Sequence, residues 1–201
     1  EMVSADILNS VDSMSKNPIT VIYQSGYLTI KDYDREFKIY RLGFPNREVE
    51  NGFIKYLLPL YTPIEENKSE FYVANFINDI RKGNPDGFME RLQSLFADSD
   101  YKITGKMEKY FQNSMYLIFK MMGFFTEVER TTSRGRMDIV MKTKDYIYVM
   151  ELKLAGTADE ALKQIEDKGY AEPFKSDGRQ IYKIGVSFSS ETRGIEDWKI
   201  L

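Results

Sequence analysis

The sequence predicts an α/β (α+β) fold built on a mixed sheet, and three observations carry that expectation. Residues 124–131, 136–143 and 146–154 read as three consecutive strands, the last two closing on a turn at Lys144-Asp145. A helical pattern over 158–174, regular at least to Gly169, separates them from a fourth strand over 180–189. A long amphipathic helix over 105–122, ended by Gly123, precedes them all. Helix, three strands, helix, strand implies a meander feeding a crossover helix. Such a chain mixes antiparallel and parallel pairing in one sheet and covers both of its faces with helices.

The elements before this core follow from local pattern. Val3, Ile7, Leu8 and Val11 stand at helical spacing and predict a helix over 3–14. Asn17-Pro18 interrupts it and opens a second short apolar segment closed by Gly26. Residues 27–30 and 37–42 read as two strands about the polar turn KDYDRE, and a helix runs from Pro45 towards Pro59. Helix, helix, hairpin, helix within residues 1–60 resembles a winged-helix-like unit. Residues 61–100 hold two helical stretches, the second opened by Pro85, and read as a helical connector. Residues 101–201 form the third part.

Composition narrows the chemistry. The chain has 201 residues, 42% of them hydrophobic and 29% charged, and holds neither cysteine nor histidine. Disulfides, thiolate metal sites, thiol nucleophiles and every imidazole-based mechanism are therefore excluded. What remains is chemistry on carboxylates, lysine, tyrosine, serine or an oxygen-ligated metal. No apolar run reaches membrane-spanning length and no signal peptide opens the chain, so a cytoplasmic location without membrane contact is expected. The chain opens on Glu1 rather than Met, which suggests a piece of a longer protein. Its net charge of −3 argues at first sight against nucleic acid. The charge is uneven, however: residues 1–99 carry eleven Lys/Arg against fifteen Asp/Glu, and residues 100–201 seventeen against sixteen.

The candidate site lies in the segment 146–154. Tyr146, Tyr148, Met150 and Leu152 make one face apolar, while the other begins with Ile147 and Val149 and switches to Glu151 and Lys153. A strand apolar on both faces is covered on both faces, and charges at its end are partly desolvated, costing several kcal/mol unless paired or bound to an ion. Asp138 on the preceding strand supplies a third charge. If the hairpin loop has an even number of residues, such as Thr143-Lys144, Asp138 falls opposite Val149 and diagonal to Glu151 on one face; an odd loop separates them. Two close carboxylates need a cation or a shared proton between them, and oxygen ligands without His or Cys suit Mg²⁺ or Mn²⁺. Lys153 on the same face could orient an attacking water and stabilise developing charge. The alternative for these three residues is a structural ion pair. The Glu-x-Lys spacing alone decides nothing, since it also occurs at Glu36-Lys38, Glu66-Lys68 and Glu166-Lys168; only Glu151 has an aspartate on a neighbouring strand. Arg130, Arg134 and Arg136 concentrate positive charge by the same hairpin and are candidates for binding nucleic-acid phosphates, with solvated loop charge as the alternative.

These residues resemble the PD-(D/E)xK nuclease superfamily, in which an acidic residue on one strand is followed by E-x-K on the next. Gly135-Arg136-Met137-Asp138 stands for the first element and Glu151-Leu152-Lys153 for the second. Met137 occupies the position before the aspartate where the family's name has proline. The resemblance implies a restriction-endonuclease-like αβββαβ core. It also makes Glu108, on the first core helix, a further candidate metal ligand, and Gln164, on the crossover helix, a candidate site residue. A tyrosine often found four residues after that glutamine is replaced by Lys168, with Tyr170 two further on. The whole chain also resembles the C-terminal part of bacterial proteins that join an AAA-ATPase-like module to a nuclease-like domain. The segments YQSGYLTIKDYD, YRLGFPNREVENGF and GRMDIVMK…YVMELKL carry that likeness. It implies that residues 1–60 are the winged-helix-like tail of an upstream ATPase-like module. No phosphate loop of the GxxxxGK[ST] kind is present.

The expected function is that of a Mg²⁺- or Mn²⁺-dependent nuclease-like domain acting on nucleic acid, DNA first. Asp138, Glu151 and the Leu152 backbone carbonyl would bind metal, with Lys153 and Gln164 serving the reaction. The alternative is a non-catalytic nucleic-acid or protein-binding module that keeps the fold.

Overall fold

Two units divide the chain, Glu1–Ile54 and Lys55–Leu201. The computed structural model describes residues 1–9, 18–97, 107–123, 127–133, 136–189, 191 and 194–201.

The first unit holds β1 (Met2–Ser4), α1 (Ala5–Asn9), α2 (Pro18–Gln24), β2 (Thr29–Asp34) and β3 (Ile39–Gly43). It also holds the start of α3 (Arg47–Tyr61), a helix that the division crosses. Its three strands pair antiparallel in the order β1-β3-β2, over a small core of Val3, Leu8 and Leu42 packed with Ile19, Tyr23, Leu28 and Tyr40. Two expectations are corrected here. The first residues are strand rather than helix: Met2–Ser4 take up the free edge of β3, and this pairing overrides a helical spacing that rests on few residues. The turn of the hairpin is Arg35–Lys38, not KDYDRE. Asp34 Oδ1 accepts the Glu36 and Phe37 N–H groups at 2.9 and 3.0 Å, which closes the turn two residues later than the polar run suggests. β2 is largely exposed and so carries no alternation to mark it as strand.

The second unit opens with the rest of α3, a 3-10 turn, Glu66–Lys68, and two helices, α4 (Ser69–Arg81) and α5 (Pro85–Ala97). Then follow α6 (Met107–Met122), β4 (Glu127–Ser133), β5 (Arg136–Lys142) and β6 (Tyr146–Lys153). α7 (Ala158–Asp167), β7 (Gln180–Ser189) and β8 (Gly194–Ile200) complete it. The sheet order is β4-β5-β6-β7-β8; β6 and β7 run parallel and every other pair antiparallel. The mixed sheet is thus as expected, with β8 added. That strand lies at the edge and carries Glu196, Asp197 and Lys199 among its seven residues, so its apolar period is weak.

The sheet's two faces are covered differently. Ile147 and Val149 of β6 pack with Leu162, Ile165 and Ala171, so α7 covers the odd-numbered face. On the other face Tyr148 stacks on Tyr182 at 5.3 Å and donates its hydroxyl to the Ile80 carbonyl at 2.6 Å, while Phe188 meets Phe96 and Phe111. α4, α5 and α6 supply that cover, with Phe88, Met89, Leu92, Met115, Phe119 and Met122 all buried. Residues 61–100, read from sequence as a connector, therefore contribute their described part to the same unit as the sheet.

Candidate active site

β6 has the two-sided burial that its apolar run predicts, with every residue from Ile147 to Leu152 buried. It owes this to its central position between antiparallel β5 and parallel β7. Its register with β5 is set by the turn, where the Thr143 N–H donates to the Tyr146 carbonyl at 2.9 Å and leaves Lys144-Asp145 as a two-residue loop. The loop is even, as the site requires, but lies one residue later than Thr143-Lys144. That shift makes Asp138 the direct partner of Glu151 rather than its diagonal neighbour, and makes Arg136 the partner of Lys153. Direct partners in antiparallel strands have Cα atoms about 4.5–5.5 Å apart and share one face.

Glu151 is fully buried, flanked in register by Asp138 on β5 and Gly185 on β7. Lys153 is half-buried, between Arg136 and Ser187. By strand alternation both stand on the face that α7 covers. Gly185 explains how the helix comes so close. A Cβ there would stand 2.7 Å from the Leu162 backbone nitrogen and nearer still to the Ala158 carbonyl oxygen. The absence of a side chain beside Glu151 thus seats the first turn of α7 directly on β7. That turn is fixed by a capping box: Thr157 Oγ1 accepts the Glu160 N–H, and Glu160 Oε2 accepts the Thr157 N–H. Asp159 Oδ2 receives Lys199 Nζ at 2.7 Å, and this hydrogen bond holds the Lys199 ammonium above the ordinary lysine range. The far end of α7 closes with Tyr170 N–H on the Ile165 carbonyl and Gly169 N–H on the Glu166 carbonyl.

Gln164 lies on α7 and is half-buried; its Nε2 is buried and has no hydrogen-bond partner among the described residues. Register thus sets Asp138 and Arg136 opposite the buried Glu151 and the half-buried Lys153, which stand on the face covered by the helix that bears Gln164. Arg130 is not gathered with them: its register partner is Ile139, which pairs with Met150 on the opposite face. Leu152 is buried on that opposite face too, between Met137 and Val186. Arg134 lies outside the described residues, as do the side chains of Glu108, Arg130, Arg136 and Asp138. Lys142 stands at the turn end of the hairpin, on Glu127 at 3.7 Å and over the Phe174 ring, away from Glu151. Tyr170 packs into the core beneath α7.

Among the described residues no group of three or more His, Cys, Asp or Glu could hold a metal ion. The donor set fits a hard cation all the same. A buried carboxylate with a carboxylate as its cross-strand register partner offers two oxygen ligands, the number Mg²⁺ takes from protein when phosphate and water supply the rest. Two residues that shape this site escape the motif reading, Gly185 and Glu160. Both left a signal, a glycine inside an apolar strand pattern and a T-x-x-E box before a helical period.

Residues 106–198 match the family model of the PD-(D/E)XK nuclease superfamily. That match spans β4 to β7 and most of β8, the candidate site, and α6 and α7. A curated protein of Azotobacter chroococcum mcd 1, described as an uncharacterized protein in the vnfD 5′ region, is 29% identical over 188 residues. The alignment covers 87% of this chain and 36% of that protein, so the chain spans about a third of its relative's length. No solved structure matches the chain. No helix among the described residues is long and apolar enough to cross a membrane.

Proposed function

We propose that the chain carries a divalent-metal-dependent nuclease domain that hydrolyses phosphodiester bonds of nucleic acid, with DNA as its substrate. The observation that supports this most strongly is the register of β5 and β6. It pairs Asp138 with the buried Glu151 and sets Lys153 two residues on, within the segment that matches a nuclease family. Asp138 and Glu151, with the Leu152 backbone carbonyl, would hold Mg²⁺ or Mn²⁺, and Glu108 is a further candidate ligand. When bound, the cation supplies Lewis-acid polarisation of a phosphoryl oxygen. Lys153 keeps its charged Nζ beside the negative charge that develops on the phosphate and donates a hydrogen bond to the incoming water. The Gln164 amide, a donor already stripped of water, is available to a phosphate oxygen or to that water. The cover of α7 excludes bulk solvent and so strengthens each of these interactions. Arg134 and Arg136 would neutralise neighbouring phosphates, while the register of Arg130 favours the other face.

We further propose the organisation implied by the family likeness. Residues 1–60 would be the winged-helix-like end of an ATPase-like module that works in the cytoplasm, 61–100 a helical connector and 101–201 the nuclease domain.

Incubation of the chain with supercoiled plasmid and Mg²⁺ or Mn²⁺ tests the central reading. Cleavage is expected, with Glu151→Ala and Lys153→Ala each reduced by on the order of a hundredfold or more. Mn²⁺ should also raise the thermal midpoint of the unaltered chain and leave that of Glu151→Ala unmoved. Cleavage that persists unchanged in both variants would overturn the proposal. Binding of nucleic acid without cleavage in either metal would replace it with the non-catalytic module.

A further inference from the structure

α4 and α5, besides covering the sheet, border a trough of about 630 Å³, the size of a ligand site. They lie on the Tyr148 side of the sheet, whereas Glu151 and Lys153 stand under α7, and both helices precede the segment that matches the nuclease family. From Phe71 to Asp79 the α4 wall runs about 12 Å at the rise of a helix. That length takes roughly four residues of extended chain.

The chemistry of the trough is one-sided. Arg91 is the cation of its lining, and its Nε already donates to Asp79 Oδ2 at 2.6 Å. What stays unengaged is rich in acceptors. The Glu90 carboxylate, the Tyr72 hydroxyl and the Asn75 amide have no hydrogen bond or ion pair among the described residues. Beside them the Phe71 ring is 69% exposed, edge-on to Tyr72. An anion entering here meets no free counter-charge, but a guanidinium meets two aromatic rings and a carboxylate. The surrounding charge acts in the same sense. Residues 61–100 carry eight Asp/Glu against four Lys/Arg, and residues 101–201 fifteen against seventeen. The stretch that holds the trough thus draws cations and repels nucleic acid.

We propose that this trough docks an extended, arginine-bearing segment of a partner protein. Phe71 and Tyr72 take the flat face of the guanidinium and Glu90 its charge. The Asn75 amide, one group that both donates and accepts, pairs with a peptide unit of the segment. The site is separate from the nuclease reading and does not depend on it.

Fluorescence anisotropy with a fluorescein-labelled peptide, Gly-Ala-Arg-Ala-Arg-Ala-Gly, tests the proposal at about 0.15 M salt. The control is the same peptide with citrulline, which lacks the charge, in place of both arginines. The arginine peptide should bind on the order of tenfold more tightly than the control. Phe71→Ala should weaken it on the order of tenfold and Glu90→Gln roughly threefold. Both side chains are exposed, so the thermal midpoints should stay where they are. Glu66→Gln removes the same charge from an exposed position outside the trough and should leave the affinity unchanged. Equal affinity for the two peptides overturns the proposal, as does unaltered affinity in both Phe71→Ala and Glu90→Gln. If Glu66→Gln weakens binding as much as Glu90→Gln, the attraction is general acidity and the trough is no site. A labelled single-stranded oligonucleotide that loses affinity in Phe71→Ala would assign the trough to nucleic acid instead.

Discussion

Tyr148 and Glu151 share one strand and show how a single residue's surroundings set its part. Glu151 stands on the face under α7, among the charges of the candidate site. Tyr148 stands on the other face, fully buried, with its hydroxyl on the Ile80 carbonyl. Burial pushes the Tyr148 phenol well above the usual tyrosine value of 10.0, and neighbouring Tyr182 and Tyr146 push it further. A proton held more tightly in the folded chain than in the unfolded one stabilises the fold below the unfolded pKa. That contribution is lost as pH rises past it towards the folded pKa. Urea denaturation should therefore show stability falling more steeply above about pH 10 in the unaltered chain than in Tyr148→Phe. At neutral pH the variant should be weaker by about 1–3 kcal/mol, because a buried carbonyl loses its donor. Equal slopes above pH 10 would show that the folded chain holds the Tyr148 proton no more tightly than the unfolded one.

Among the elements, α7 decides whether the site is closed, and Gly185 decides where α7 sits. The obstacles to a side chain at 185 are the backbone of Ala158 and Leu162, which cannot rotate aside as a flexible side chain could. In Gly185→Ala the first turn of α7 must lift, carrying Glu160 and the Thr157 cap with it. The expected result is a loss of about 1–3 kcal/mol in stability and a fall in plasmid cleavage although no proposed ligand is touched. Retention of full activity would mean that the seat of α7 is not needed. Much of this arrangement is legible in the sequence. β5, β6, α7 and β7 announce themselves because their apolar periods match their burial, and the switch from Val149 to Glu151 marks the site within a covered strand. The parity of the hairpin is also legible, but not its register, since Thr143-Lys144 and Lys144-Asp145 are both even loops and only the hydrogen bonds of Thr143 choose between them. β1 and β8 escape for the opposite reason. Each is an edge strand whose identity comes from a partner's free hydrogen-bonding groups, and its own residues carry little alternation. Gly185 looks ordinary in the sequence because its meaning lies in α7, more than twenty residues back along the chain.

At the scale of the molecule, the family match begins at residue 106, yet the packing of the second unit begins well before it. α5 lays Phe88, Met89, Leu92 and Phe96 against α6 and the sheet, each 0–2% exposed. Its polar groups reach the far edge: Gln93 Nε2 donates to the Ile195 carbonyl at 3.1 Å and Trp198 Nε1 to Asp86 Oδ1 at 3.2 Å. The end of α4 and the turn after it receive Tyr148 and Tyr182 through the carbonyls of Ile80 and Gly83. Fully burying one such apolar side chain stabilises a fold by about 1.5–3 kcal/mol, so four of them contribute on the order of 10 kcal/mol. A whole domain's net stability is roughly 5–15 kcal/mol. Removing α4 and α5 therefore takes away a quantity as large as the margin by which the sheet is folded, and exposes the ring face of Phe188 and the apolar stripe of α6 to water. A fragment of residues 101–201 should accordingly be expanded, bind an apolar dye and lack a cooperative thermal transition, whereas Lys55–Leu201 should melt cooperatively. Circular dichroism and dye binding on the two fragments check this. A cooperative transition in residues 101–201 would show that α6, α7 and the sheet suffice, and that α4 and α5 are cover added to a core already stable.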